Sequence, residues 1–402
     1  MGTFGQMCQK FIFIIILTCN FEVMDFSFTD EQLMIKQAAR DFARTELLPG
    51  VIERDEKEIQ PVEKLKKMQE MGFMSMTANQ KYGGEGMDTV SYILATEEIS
   101  KIDASSAVVM SIQNSLVNWG LEQYASEEIK QKYLVPMLTG KAFGAFALSE
   151  PEAGSDATKQ RTTAVEKDDY YLLNGTKNWI SNASIADYFI VIAHTHPEKG
   201  HHGINAFVVE KNWDGFEIGP KENKMGLRAS HTHSLMFTDV KIPKENRIGD
   251  DGFGFKFAMQ SLNGGRIGIA AQALGIAQGA LDLSIQYSKE RKAFGKLISQ
   301  HQAIAFKLAE MEVRTEASRN LVYKAAWLKD QHKEYNLAGA SAKYFAAETA
   351  MFVTTEAVQI HGGYGYVKEY HVERLMREAK LTQIYEGTSE IQQIVISRAI
   401  LQ

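Results

Sequence analysis

The chain has 402 residues, and 44 Lys and Arg against 50 Asp and Glu leave a formal charge of −6; 45% of residues are hydrophobic and 23% charged. Those proportions belong to a folded globular protein and exclude a disordered or collagen-like chain, while the mild negative balance argues against nucleic acid, which asks for clustered Lys and Arg. The two cysteines, Cys8 and Cys19, cannot build a disulfide framework, so a reducing, cytoplasmic setting fits best.

Both cysteines lie in an unusual N-terminal piece. Residues 11–17, FIFIIIL, form the most hydrophobic run. It falls short of the ~20 apolar residues that span a bilayer, so no stable membrane insertion is expected. Behind Lys10 the run resembles the core of a signal peptide, but no small-residue cleavage site follows. A mis-assigned start, with Met24 as the true first residue, is favoured over export or a peripheral strand. Residues 1–23 are therefore read as an extension outside the fold.

From Thr29 the pattern is helical. Thr29 and Gln32 form a capping box, Met34, Ala38 and Phe42 recur at i+4, and Pro49-Gly50 stops the run. Helical text continues to about residue 140, broken by the turn Gly83–Gly86. Between 143 and 254 the pattern becomes β. Tyr170–Leu173, the turn pair Asn174-Gly175 and Asn178–Ile180 read as a hairpin with a type I′ turn. Phe189–Ile192 and Ala206–Val209 read as buried strands, and Leu235–Phe237 with Val240–Ile242 continues the β segment. From 255 to 402 helical periodicity returns. Ala342, Phe345, Ala346, Ala350, Val353, Ala357 and Ile360 make one apolar stripe, and no Pro follows Pro243 to interrupt it. The expected domains are 24–142 (all-α), 143–254 (β) and 255–402 (helical bundle).

Generic chemistry does not settle the function. No G-x-G-x-x-G opens a βαβ unit and no P-loop is present. His201-His202 and His231-x-His233 lack further ligands at zinc spacing, so no metal is expected. Six polar clusters stand out: Phe146–Asp156, Asn178–Asn182, Asn263–Arg266, Arg291–Lys296 with Gln302, Gln359–Gly365 and Ile384–Gln392. Singly, each has a bland reading as a turn, a core Trp or a decorated helix.

In order and together, over residues 25–402, the clusters resemble the acyl-CoA dehydrogenase family of flavoproteins, and more closely its short-chain, butyryl-CoA branch. The resemblance implies an α+β multidomain fold: an N-terminal helical domain, a middle β domain and a C-terminal four-helix bundle. It also implies FAD and a homotetramer. Phe146, Ala147, Leu148, Ser149 and Ser155 resemble the loop that bonds the flavin ring, and Ser155 also matches a contact to the CoA part of the substrate. Trp179, Ile180 and Ser181 match the motif beside the ring. The family often has Thr where Ser181 stands, and the hydroxyl is kept. Arg291, Phe294 and Gln302 resemble residues reaching FAD on a neighbouring subunit. Gln359, Ile360, Gly362 and Gly363 match the loop approaching its pyrophosphate, where an Arg fork and glycine backbone suit phosphate. Thr388, Ser389 and Glu390 match the last FAD-contacting segment.

By the same resemblance Glu386 is the base that takes the α-proton of an acyl-CoA thioester while the β-hydrogen leaves as hydride, giving a trans-2-enoyl-CoA. Ser389 and Gln392 read as a capping box, which sets Glu386 and Gly387 just before a helix, with Gly387 leaving room for substrate. Some branches carry the base immediately before the Arg equivalent to Arg266; Gly265 stands there and cannot serve. Asn263–Arg266 resembles a substrate-contacting turn, with Asn263 where the short-chain branch usually has Asp. Electron-transfer flavoprotein is the expected acceptor. A branched-chain acyl-CoA dehydrogenase, an acyl-CoA oxidase and a non-catalytic flavin-binding relative are the competing readings.

Overall fold

In the computed structural model, residues 27–402 are described; the reading of residues 1–23 as an extension lies outside them. Thr29 caps helix α1 (Asp30–Phe42) with the reciprocal Thr29/Gln32 capping box, and a π-helical turn carries the chain on to Leu47 before Gly50, at φ 75°, turns it away. Short helices lead to α2 (Thr89–Ser100), which is buried along almost its whole length. Helical chain then runs from Ala104 to Tyr124 through a π-helical stretch at Ile112–Asn118.

The middle of the chain is one sheet of eight strands: β1 (Gly144–Ala147), β2 (Thr163–Glu166), β3 (Tyr170–Ser181), β4 (Tyr188–His194), β5 (Ile204–Glu210), β6 (Phe216–Lys221), β7 (Thr232–Pro243) and β8 (Arg247–Ile248). The spatial order is β6-β7-β3-β2-β4-β5-β8, with β1 parallel to β4. Here the structure corrects the sequence reading. Asn174-Gly175 makes no hairpin turn. It lies inside one long strand whose register against β7 shifts between Leu173 and Gly175. The pair marks a bulge, and Thr162, just before β2, approaches too closely for a side chain at position 175, where a Cβ would sit 2.6 Å from its hydroxyl.

Three long helices and two shorter ones close the fold: α3 (Gly254–Glu290), α4 (Gln302–Asp330), α5 (Asn336–His361), α6 (His371–Thr382) and α7 (Ser389–Ile400), with α2 packed against α3 from the N-terminal part. The 37 residues of α3 make a rod of about 55 Å. Glycines let α2 lie against it: a Cβ at Gly275 or Gly279 would come within 2.5 Å of the carbonyls of Glu97 and Lys101. The apolar stripe of α5 is buried as expected, except for half-buried Phe345. Two apolar cores result, one among the helices and one within the sheet. Arg54–Asp103 at 3.0 Å is a buried ion pair within the N-terminal helices, and Asp55–Arg377 at 2.6 Å ties them to α6. Among the described residues, no helix is long and apolar enough to cross a membrane.

Candidate active site

Glu386 sits on the short connection between α6 and α7. The connection is tight because Glu386 and Gly387 both have left-handed backbone, at φ 50° and 91°, a conformation costly for a non-glycine residue. The cap that starts α7 is Thr388 rather than Ser389: its hydroxyl accepts from Ile391 N at 3.2 Å. Gln392 is thereby released from capping. It turns back to donate to the Gly387 carbonyl at 2.8 Å. Ser389 bonds Glu348 of α5 at 2.7 Å instead.

The Glu386 carboxyl enters the helical core. Its Oε2 has no solvent contact and no hydrogen-bond partner, although the residue as a whole is only half-buried. It packs over Gly265 of α3, where a Cβ would fall 2.2 Å from Oε2. Burial pushes the Glu386 pKa up to about 7, with Lys343 and Arg266 opposing the rise. Lys343, wholly buried on α5, donates to the Gly387 carbonyl at 2.6 Å, and burial brings its own pKa down to about 8. Arg266 is also buried; its guanidinium donates to Asn263 at 2.8 Å and its Nε has no partner. Asn263–Arg266 is not a turn, because it lies inside α3; there the i, i+3 spacing brings Asn263 to Arg266. Across from this stretch, Tyr92 of α2 and Ser111 present buried hydroxyls without partners, each 2.5 Å from where a Gly268 Cβ would be.

A second element faces the same end of α3. Phe146 of β1 stacks on Phe257, with ring centroids 6.4 Å apart. The loop that follows is held from beneath by Lys177. Its ammonium is wholly buried and donates to Leu148 O at 3.0 Å, Glu150 Oε1 at 2.7 Å and Gln160 Oε1 at 3.0 Å, using all three protons. Glu150 is buried too, but Lys177 and the N–H groups of Arg161 and Thr162 outweigh that burial and hold its pKa below the ordinary range. Asn178 N bonds Ser149 O at 2.8 Å, joining this loop to the next motif. There Trp179 stands 60% exposed on left-handed backbone at φ 63°, beside buried Ile180 and half-buried Ser181. An indole left in solvent by a strained residue is a surface prepared for a planar partner. Ser155 is exposed further along the loop.

The remaining motif residues gather at the opposite end of α3. Arg291 follows its last turn, about 39 Å along the rod from Gly265. The Arg291 guanidinium lies 5.5 Å from the Tyr364 ring, so it is beside Gln359, Gly362 and Gly363. Gln359 and buried Ile360 belong to the last turn of α5, and the glycines follow in a 3-10 turn. A Cβ on Gly362 or Gly363 would meet nothing within 4 Å, and Phe294 is 96% exposed. Gln302 is exposed as well; Glu390, also exposed, lies instead in the first turn of α7, near Lys343. A guanidinium, amides and bare backbone on an open surface suit a phosphate group. The structure thus brings Glu386, Gly387, Asn263 and Arg266 together, and holds Arg291, Phe294 and Gln359–Gly363 apart from them.

Lys343, Lys177, Glu150 and Gln392 carry roles the sequence reading did not assign. A signal existed for two of them. Lys343 interrupts a small-residue helix face, and Lys177 occupies an inward position of a strand. The histidine pairs do other work: His231 and His233 each bond a backbone carbonyl, of Glu58 and Gly219, at 2.8 Å. Among the described residues no group of three or more His, Cys, Asp or Glu is placed to hold a metal.

Comparison with known proteins covers almost the whole described chain. Family models described as the acyl-CoA dehydrogenase N-terminal, middle and C-terminal domains match residues 29–141, 145–240 and 252–401. A short-chain specific acyl-CoA dehydrogenase of Clostridium acetobutylicum is 49% identical over 379 residues, covering 94% of this chain and all of that one. The solved butyryl-CoA dehydrogenase of Megasphaera elsdenii superposes with a TM-score of 0.93 at 49% identity, over 94% of this chain and 100% of that one. A chain solved in work on the electron transferring flavoprotein of Acidaminococcus fermentans and flavin-based electron bifurcation gives 0.93 at 51% identity, with the same coverage.

Proposed function

The chain belongs to the acyl-CoA dehydrogenase family, and from that premise we propose that it oxidises a short-chain acyl-CoA to the trans-2-enoyl-CoA with FAD, Glu386 being the base. The observation that carries this reading is the Glu386 carboxyl: buried, with Oε2 unpartnered over Gly265, and with its pKa pushed up to about 7. A general base works best when its pKa is near the ambient pH. A carboxylate with no hydrogen bond to give up is free to take a proton.

The residues at hand fit FAD. The exposed Trp179 and the hydroxyls of Ser149, Ser155, Ser181 and Thr388 suit a planar ring with polar edges, and Arg291 with the open Gly362-Gly363 backbone suits a pyrophosphate. FAD when bound supplies the hydride acceptor. The protein's part is to hold the acyl thioester so that its α-carbon faces Glu386 Oε2. The Glu386 N–H donates to the thioester carbonyl and stabilises the negative charge that develops there. Arg266 contributes positive charge from α3. Gly387 leaves space beside the base.

The two groups of motif residues, separated along α3, support a homo-oligomer, read here as a tetramer. Arg291, Phe294, Gln302 and Gln359–Gly363 then serve FAD held by a neighbouring copy. The domains we assign are 24–142, 143–254 and 255–402. The short-chain specific relative supports a small acyl group, and the electron transferring flavoprotein work on the third similar chain supports that class of protein as acceptor.

Anaerobic titration of the FAD-loaded protein with butyryl-CoA tests the assignment. The flavin absorbance should bleach in the parent and stay unchanged in Glu386→Gln with FAD still bound. Bleaching at the parent rate in that variant would remove Glu386 from the reaction. Comparing oxygen with electron-transfer flavoprotein as acceptor then separates dehydrogenase from oxidase.

A further inference from the structure

The left-handed backbone of Glu386 needs something to hold it, since a residue other than glycine does not keep that conformation without support from its surroundings. The support converges on one atom. The Gly387 carbonyl accepts from Lys343 Nζ at 2.6 Å and from Gln392 Nε2 at 2.8 Å. Lys343 is 0% exposed, an unusual place for an ammonium. It projects from α5, while the other cation near the base, Arg266, comes from α3. The remaining titratable groups facing the carboxyl are Tyr92 from α2 and the adjacent Tyr385, whose hydroxyl bonds Gln272 of α3. Glu348 and Glu390 lie near Lys343 as well, but Glu348 is engaged by Ser389 and Glu390 is exposed.

We propose that Lys343 is a positioning residue for the base: one buried ammonium fixes the Gly387 carbonyl, and so the aim of the Glu386 side chain, while setting a positive charge against the Glu386 carboxylate. Lysine suits the task because it is a compact point charge with several protons to donate. Arg266 donates to Asn263 instead. The inference rests on the reading of Glu386 as base.

Lys343→Met tests it without emptying the core, because Met fills a similar volume and Gln392 still satisfies the Gly387 carbonyl. Lys343→Arg is the companion that keeps the charge. Two measurements are made on FAD-loaded protein: the pH dependence of the second-order rate of flavin reduction by butyryl-CoA, and hydrogen exchange across residues 384–392. In Lys343→Met the acid limb should move to higher pH by about one unit or more, since an opposite charge nearby favours the ionised carboxyl by that much. The rate at pH 6 should then fall at least tenfold and exchange across the loop should quicken. Lys343→Arg should lie nearer the parent. A Lys343→Met limb that coincides with the parent's overturns the proposal, as does an equal loss at every pH that Lys343→Arg does not recover. Glu386→Gln is measured alongside. If it still bleaches at the parent rate, the base assignment itself falls; if it is inactive while Lys343→Met keeps the parent profile, only the role of Lys343 falls.

Discussion

Gly265 and Glu386 are packed so closely that α3 cannot carry any side chain beneath the carboxyl: a Cβ at position 265 would lie 2.2 Å from Glu386 Oε2 and 2.9 Å from Leu116 Cδ2. Gly265 is the floor under this carboxyl. A glycine in mid-helix costs stability relative to alanine, so its presence in α3 answers to space rather than to helix propensity.

Gly265→Ala should therefore separate stability from activity. Overpacking costs about 1–3 kcal/mol, partly returned by the helix preference of alanine. The carboxyl must move, and a displacement of about 1 Å at a reacting group costs on the order of a hundredfold in rate. Flavin bleaching by butyryl-CoA, measured against chemical denaturation of the same variant, checks this. A variant that bleaches at the parent rate would show that the carboxyl does not work from this position.

The pH dependence follows from the ionisation of Glu386. In the proposed role as base Glu386 must be a carboxylate, and its pKa is raised by burial to about 7. The second-order rate of flavin reduction should fall below pH 7, approaching tenfold per unit, and level off above it. Asn263→Asp should move this limb to higher pH, because an Asp beside Arg266 neutralises a cation that now favours the Glu386 carboxylate. Stopped-flow reduction between pH 5.5 and 8.5 measures both.

The same ionisation bears on stability. A carboxyl whose pKa is raised on folding destabilises the folded state when charged; that cost begins as pH rises above the unfolded value near 4.5 and is complete above about 7. Glu386→Gln should thus be more stable than the parent at pH 8.5, and the gap should close towards pH 4.5. Denaturant midpoints at pH 5 and 8.5 give the comparison.

Lys177→Met should unsettle the middle domain. It leaves Glu150 buried without its cation and frees the Leu148 carbonyl and Gln160. Breaking a buried pair from one side costs roughly 3–5 kcal/mol. Since the loop above carries Ser149 and leads to Ser155, FAD affinity should fall with stability, read by titrating the apoprotein with FAD. Lys177→Met combined with Glu150→Gln removes both charges while an amide oxygen stays opposite the Arg161 and Thr162 N–H groups, and should recover part of the stability, but not the FAD affinity, if the ammonium's hold on Leu148 positions the loop.

How much of this was legible beforehand differs by element. The Thr29/Gln32 cap, the Gly50 stop and the stripe of α5 depend on spacing within one helix, and the sequence showed them. Asn174-Gly175 shows the opposite case: a strong local turn signal yielded to strand pairing on both sides, and a bulge absorbed it. Asn263-Gly264-Gly265-Arg266 looked like a turn for the same reason. Its Gly265 serves close packing inside α3, and that packing depends on Leu116 and Glu386, more than a hundred positions away.

The sequence by itself determined the order helix, sheet, helix, and the motifs that place this chain in its family. Periodicity and short motifs are local properties of a chain. The tertiary structure alone decided that Glu386 loses its water over Gly265, that Lys343 and Arg266 approach it from two different helices, and that Lys177 holds the loop from below. It also decided that Arg291 lies too far along α3 to join Glu386 within one chain. A pKa, a buried charge and a distance along a rigid rod are each set by what surrounds a residue in space, and distant segments supply those surroundings only once the chain has folded.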